Sequence, residues 1–230
     1  MSSADFAQRL AAVQERVARA CERAGRDPGD VRLIAVSKTF PAERVREALA
    51  AGQRVFGENR VQEALGKLDE IEGAEWHLIG PLQRNKARHA VGRFHRIHAV
   101  DNEALAVELD KRARAAGVRQ ALLLQVNEAG EASKAGVTPA ALPALVERVL
   151  ELDALDLRGL MTIPPRAESP EDNRRWFAGL RQLRDRAAAA AGRELPELSM
   201  GMTGDFEVAV EEGATWIRVG RALFGERGAA

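Results

Sequence analysis

The 230-residue sequence predicts an α/β fold, a single (β/α)8 TIM barrel with one extra N-terminal helix. Three observations carry that expectation. From residue 31 onward, short apolar runs alternate with amphipathic stretches, which implies parallel strands joined by helical crossovers. The first run, Arg32-Leu33-Ile34-Ala35-Val36-Ser37-Lys38, is apolar at successive positions, as strands of parallel sheets covered on both faces are. Eight such units fit the length. The alternative is an open doubly wound sheet, whose dinucleotide fingerprint is Gly-x-Gly-x-x-Gly after the first strand. Ser37-Lys38-Thr39-Phe40-Pro41 stands there instead.

The elements follow in order. Residues 3–25 read as an amphipathic helix with Phe6, Leu10, Val13 and Val17 on one stripe, ended by Gly25 and Pro28. Strands are expected at 32–37, 53–56, 75–79, 95–99, 120–126, 156–161, 196–199 and 215–219. Helices are expected at 41–51, 58–70, 82–91, 102–116, 138–152, 170–191 and 203–212, with a short one beginning near Gly220. The alanine run at 187–191 suits a helix. No Gly/Ser-rich or Pro-rich linker divides the chain, so residues 1–230 are read as one domain with the first helix packed on it.

Composition narrows the function. Lys plus Arg equals Asp plus Glu, so no global field favours nucleic acid or an anionic membrane. The basic residues Arg84, Lys86, Arg88, His89 and Arg93 lack interleaved aromatics and read as a solvated helix face. No apolar run reaches the ~20 residues of a membrane span, and the N-terminus lacks a signal-peptide pattern. Cys21 is the only cysteine, which excludes an intrachain disulfide and fits a reducing cytoplasm. It lies in the helical stripe and reads as packing. Four histidines without clustered cysteines give no zinc pattern.

In such barrels the active site lies at the C-terminal ends of the strands. The polar residues at that register are Ser37, Lys38, Glu58, Asn59, His77, Asp101, Asn102, Asn127, Met161 with Thr162, Ser199 and Arg218, and they are expected to converge. Lys38 ends a buried strand, where apolar walls lower an ammonium pKa and ready the amine for a Schiff base. A solvated lysine at a strand end is the plainer alternative. Ser199-Met200-Gly201-Met202-Thr203-Gly204 leads into a helix and reads as an anion site, as does Gly220-Arg221 after the last strand. A tight turn is the alternative for the glycines. Arg218 in the mouth wants an acceptor, either a pyridine nitrogen or an inward carboxylate such as Glu58. His77 is either a site residue or a packed, hydrogen-bonded histidine.

The runs Val36-Ser37-Lys38-Thr39, Phe56-Gly57-Glu58-Asn59, Trp76-His77-Leu78-Ile79-Gly80-Pro81-Leu82-Gln83, Asn85-Lys86, Gly159-Leu160-Met161, Gly201-Met202 and Arg218-Val219-Gly220 resemble the pyridoxal phosphate homeostasis protein family, of YggS/PROSC type. The resemblance covers essentially the whole chain. It implies an alanine racemase N-terminal-domain-like barrel holding pyridoxal 5′-phosphate (PLP) as a Schiff base on Lys38. It further implies phosphate contacts from Ser199 and the backbone of Gly220 and Arg221, and Arg218 near the pyridine nitrogen. Asn59, His77 and Met161 would line the cofactor's surroundings, and Gly201 and Met202 would also belong to the cofactor-binding set. Arg221 departs from the pattern, which often carries a small hydroxyl residue there. A backbone contact survives that change and a hydroxyl contact does not.

The sequence contains no tyrosine. The related racemases pair a lysine with a tyrosine from another domain of a partner subunit, so two-sided proton transfer lacks its second base here. A PLP-binding regulator or carrier with little turnover is therefore expected, cytoplasmic and monomeric, with PLP-dependent apo-enzymes as candidate recipients. The alternatives are a slow one-base racemase or transaminase using Lys38 and His77, a Schiff-base aldolase acting on a phosphosugar, and a pure interaction module.

Overall fold

Alternating side chains along each strand sort the residues onto the two sides of a closed wall. The computed structural model describes residues 3–131 and 134–225. Its strands are β1 (Arg32–Val36), β2 (Val55–Glu58), β3 (Glu75–Leu78), β4 (Arg96–Val100), β5 (Gln120–Val126), β6 (Leu155–Thr162), β7 (Glu197–Met202) and β8 (Trp216–Val219). They close in chain order as a parallel barrel, with β8 returning to β1 through Leu33 opposite Ile217 and Ile34 opposite Arg218. The helices are α1 (Ser3–Ala24), before the barrel, then α2 (Ala42–Ala50), α3 (Val61–Glu70), α4 (Ala87–Ala90), α5 (Glu103–Ala116), α6 (Leu142–Leu150), α7 (Arg174–Ala191), α8 (Phe206–Glu211) and α9 (Arg221–Phe224). The (β/α)8 expectation holds.

The wall separates two unlike interiors. On β1, Leu33 and Ala35 pack outward into the apolar shell shared with the helices, whereas Ile34 packs across the lumen on Ile79 and Trp216. On β3, Trp76 and Leu78 join the shell while His77 meets His98 and Trp216 inside. The shell supplies most of the hydrophobic stabilisation, at about 1.5–3 kcal/mol per buried large side chain. The lumen mixes apolar side chains, Ile34, Ile79, Trp216, Leu123 and Met161, with buried polar ones, His77, His98, Ser199 and Arg218, where barrels of this class usually hold branched apolar residues.

The apolar stripe predicted for α1 is buried, Cys21 with it. Phe6 lies 5.2 Å from Phe224 between ring centroids. Arg16 makes two bonds to Glu207 at 2.7 and 2.9 Å, and Arg23 pairs with Glu211 at 2.7 Å. The first helix is thus clamped to α8 and α9.

Several boundaries differ from expectation, each for a local reason. The second strand is Val55–Glu58, two residues later than 53–56. Gln53 instead turns its amide onto the carbonyls of Leu33 and Val55. Gly57 and Glu58 carry low strand propensity and hide the strand. Gly57 is there for room: a Cβ would stand 2.7 Å from Ile34 Cγ2. The helix expected at 58–70 accordingly starts at Val61. The helix expected at 82–91 is a 3-10 turn, Arg84–Lys86, followed by the short α4. The one at 170–191 begins with a 3-10 turn, Pro170–Asn173, under a Ser169/Asp172 capping box. The helices at 138–152 and 203–212 shorten to α6 and α8.

Strand seven runs to Met202, beyond the expected 196–199. Ser199 stands opposite Trp216 but Met202 opposite Arg218, so β7 carries one extra residue. Gly201 takes φ +89° there, and a Cβ would meet that of Ala209 at 2.5 Å. Bulges of this kind re-aim side chains near active sites. A second irregularity lies on β4 between Ile97 and Val100, and it contains His98.

Candidate functional site

A cleft of about 750 Å³ opens at the C-terminal ends of the strands. That lies within the roughly 300–1,000 Å³ range of small-molecule sites. Its wall includes Val36 and Lys38 at the end of β1, Asn59 after β2, Ile79 after β3, residues 202–205 at the end of β7, and Arg218, Gly220 and Arg221 of the last strand and turn. Residues 163–170, Glu131, Lys134 and Asn173 complete it. A separate hollow of about 810 Å³, between residues 59–63 and the segment from Pro81 to Lys86, touches the cleft only at Asn59. The cleft, not that hollow, gathers the strand-end lysine, the arginine and the glycine turns.

The turn carrying Lys38 is pinned from below. Thr39 adopts φ 68°, the only left-handed non-glycine among the described residues, and its N–H donates to Glu63. Ser37 Oγ donates to Glu58 Oε1 at 2.7 Å. Lys67 Nζ donates to the same oxygen at 2.8 Å and to the Ser37 carbonyl at 3.0 Å. Glu58 is fully buried. Burial pushes its carboxyl pKa up, and the Lys67 ammonium pulls it back.

The opposite wall is built from two turns. Met202 N–H donates to Asp205 Oδ1 at 2.7 Å, Asp205 N–H to the Met202 carbonyl at 3.1 Å, and Asn173 Nδ2 to Asp205 Oδ2 at 2.8 Å. Within this braced turn, the N–H groups of Thr203 and Gly204 have no acceptor among the described residues. At the other turn α9 begins at Arg221, and the first N–H groups of a helix lack intrahelical acceptors.

Arg218 is buried between these walls. It donates through Nη1 to Ser199 Oγ at 2.7 Å and through Nη2 to the Thr162 carbonyl at 2.8 Å. Burial pulls its pKa down to about 10, against the opposing field of Asp205. The ion pair considered with Glu58 is not formed, since Glu58 is held by Lys67 and Ser37.

The expected site residues thus divide. Lys38, Asn59, Met202, Arg218, Gly220 and Arg221 line the cleft. Ser199, His77 and Met161 are fully buried below it, and Gly201 shapes the bulge. Ser199, expected to offer its hydroxyl to phosphate, has it engaged by Arg218 and His98. His77 bonds Glu75 and His98, and Met161 packs with Ala99 and Leu123. Asp101 accepts from Gly136 N–H, Asn102 caps α5, and Asn127 holds the carbonyls of Glu131 and Lys134, so these strand-end residues support structure. Sequence reasoning has Thr203 and Gly204 in its anion run but ends the strand at Ser199, where β7 continues through a bulge to Met202. It missed His98, whose signal was an imidazole inside the apolar run Ile97-His98-Ala99-Val100.

A lysine at a barrel strand end, facing anion-type turns and a buried arginine, defines a class of cofactor-binding barrel. The family model described as the alanine racemase N-terminal domain matches residues 8–228. Pyridoxal phosphate homeostasis proteins of Aquifex aeolicus and Pseudomonas aeruginosa are each 49% identical to this chain, over 96% of it and over 97% and 96% of their own lengths. The one of Escherichia coli is 41% identical over 97% of both chains. The solved structure of PipY of Synechococcus elongatus with PLP bound superposes with a TM-score of 0.85 at 45% identity, covering 96% of this chain and 100% of that one. An alanine racemase of Clostridium difficile shares the fold, with a TM-score of 0.72 at 14% identity over 98% of this chain and 57% of its own. The chain belongs to the pyridoxal phosphate homeostasis protein family, within the alanine racemase N-terminal-domain barrels.

Proposed function

We propose that this chain binds PLP in the barrel mouth as a Schiff base on Lys38 and serves vitamin B6 homeostasis with little or no turnover of its own. The observation that carries this reading is one cleft walled by Lys38, the Thr203–Gly204 turn, Arg218 and Gly220-Arg221. The donor set fits the cofactor: an amine for its aldehyde, unpaired backbone N–H groups for its phosphate, and a guanidinium for its ring nitrogen. Family relatives carry PLP homeostasis in their names, and PipY of S. elongatus has been solved with PLP bound.

In this reading Thr203, Gly204, Gly220 and Arg221 hold the phosphate, with Ser199 acting behind Arg218 rather than on the phosphate itself. Asn59 and Met202 would line the cofactor's surroundings, with His77 and Met161 buried beneath the cleft. Bound PLP supplies an aldehyde and an electron-accepting ring. Arg218 has donors only, so a ring nitrogen facing it must accept and stay unprotonated. That orientation weakens the ring as an electron sink. Tyrosine is absent from the chain, and His77 lies outside the cleft wall, which takes support from the one-base racemase or transaminase alternative. We read residues 1–230 as one PLP-binding unit, monomeric and cytoplasmic, with PLP-dependent apo-enzymes as recipients.

The test is borohydride reduction of the purified protein after incubation with PLP, followed by peptide mass spectrometry. A pyridoxyl group is expected on the peptide containing Lys38 and is expected to vanish in Lys38→Ala. An unmodified Lys38 in the wild-type protein would remove the reading.

A further inference from the structure

The barrel lumen contains a continuous string of side-chain hydrogen bonds that ends at the cleft. Arg218 Nη1 lies 2.7 Å from Ser199 Oγ, and Ser199 Oγ lies 2.9 Å from His98 Nδ1. His98 Nε2 is 3.0 Å from His77 Nδ1, and His77 Nε2 is 2.9 Å from Glu75 Oε1. Ser199, His98 and His77 are fully buried. Glu75 opens β3 at the other end of the barrel, where its side chain retains 30% exposure.

The two ends fix the terminal bonds, and neutral rings fix the rest. A guanidinium has no acceptor and a carboxylate no donor. Ser199 Oγ must accept from Arg218, and its own proton is then available to a bare His98 Nδ1. His98 then donates through Nε2 to His77 Nδ1, and His77 donates through Nε2 to Glu75. With both imidazoles neutral, as their burial favours, one arrangement satisfies all four contacts, each ring carrying its proton on Nε2. We propose that Ser199, His98 and His77 are positioning residues, a one-directional chain that links the Glu75 carboxylate to Arg218 and fixes how the guanidinium faces the cofactor ring.

This proposal rests on the PLP reading above for its purpose, but its geometry stands without PLP. The groups around the two rings agree with it. Glu75 and Glu197 are held by Arg96 at 3.0 and 2.9 Å, Trp216 lies edge-on 4.8 Å from His77, and Arg218 stands beyond Ser199. Burial lowers the pKa of both histidines, most for His98, where the fields of His77, Arg218 and Arg96 add to it. The chain orients and does not conduct, because a proton moved along it toward the cleft meets a guanidinium that cannot accept one. Arg218 has no carboxylate of its own among the described residues, so the chain and the Thr162 carbonyl hold its plane at two points.

Two measurements test it. Histidine ring ¹⁵N shifts of the full-length protein without PLP should place His77 and His98 as neutral Nε2–H tautomers across about pH 6 to 8. An imidazolium or an Nδ1–H tautomer at either ring overturns the chain. In protein loaded with PLP, His98→Leu and Arg218→Ala, measured side by side, should shift the visible band and its pH profile in the same direction. His98→Leu should also weaken PLP retention about tenfold, the size expected for disturbing one hydrogen bond to a buried charge. His98→Gln can accept from Ser199 and donate to His77, and it should restore the wild-type spectrum. A wild-type spectrum in folded His98→Leu overturns the positioning role. Failure of the wild-type protein to take up PLP would sink the cofactor reading and the purpose assigned to the chain, whereas wrong tautomers in a protein that does bind PLP would sink the chain alone.

Discussion

Lys38 is presented by a turn that uses a strained residue, Thr39, and a buried ion pair beneath it. Left-handed φ at a β-branched residue costs about 1–3 kcal/mol and persists where the surroundings over-determine it. Lys67 is the keystone, since it satisfies both Glu58 and the Ser37 carbonyl. Lys67→Met should cost about 3–5 kcal/mol, because it leaves Glu58 buried without a cation, and the loss is read as a fall in Tm. A variant melting with the wild type would show that Glu58 is already neutral. Glu128 gives a pH signature. Burial pushes its carboxyl from 4.5 up to about 8, against a hydrogen bond from Thr162. A raised folded pKa contributes stability that is full below the unfolded value and lost as pH rises through the folded one. Glu128→Gln should therefore gain on the wild type as the pH is raised from 4.5 to 8. Denaturation midpoints that differ by the same amount at both pH values would contradict this.

At the scale of elements, most strands were legible because their outward residues pack into the apolar shell and so appear as apolar runs. Strand β2 was misplaced because Gly57 and Glu58 answer to the lumen and to Lys67, not to strand propensity. The end of β7 was misplaced because a bulge leaves no periodic trace. Gly201→Ala tests that bulge. With φ +89° and a Cβ placed 2.5 Å from that of Ala209, it should displace α8 and cost at least about 1–3 kcal/mol, read in Tm and in weakened PLP retention. The first helix is legible throughout, and its stripe is a structural requirement. Phe6→Ala should cost about 3–5 kcal/mol by opening a cavity against Phe224. A loss near zero would mean that α1 rides on its ion pairs alone.

For the whole molecule, the cleft residues Lys38 and Arg218 were legible because each lies near the end of an apolar strand, whereas the polar network inside the lumen was not. Charges at the first residues of strands look like loop residues in sequence, yet Glu75, Arg96 and Glu197 meet across the barrel. The hydrogen bond from His77, aided by the fields of His77 and Arg96, holds Glu75 down at about 2 from its ordinary 4.5. A depressed carboxyl contributes stability that is present above the unfolded value and lost as pH falls through the folded one. Acid unfolding should therefore steepen between pH 4.5 and 2, and Glu75→Gln should flatten that limb in a denaturation series. An unchanged limb would place the acid-labile group elsewhere.

The seam between β8 and β1, locked by α1 lying on α8 and α9, also sets when the protein can work. On the ribosome Lys38 emerges early, but Arg218, Gly220 and Arg221 are made near the end, and Arg16 waits for Glu207. Contacts this far apart along the chain are slow to form and leave unpaired strand edges exposed meanwhile. If PLP binds as proposed, its capture is a post-translational event. A nascent chain stalled before Trp216 should form no borohydride-reducible adduct on Lys38, and the released chain should form one.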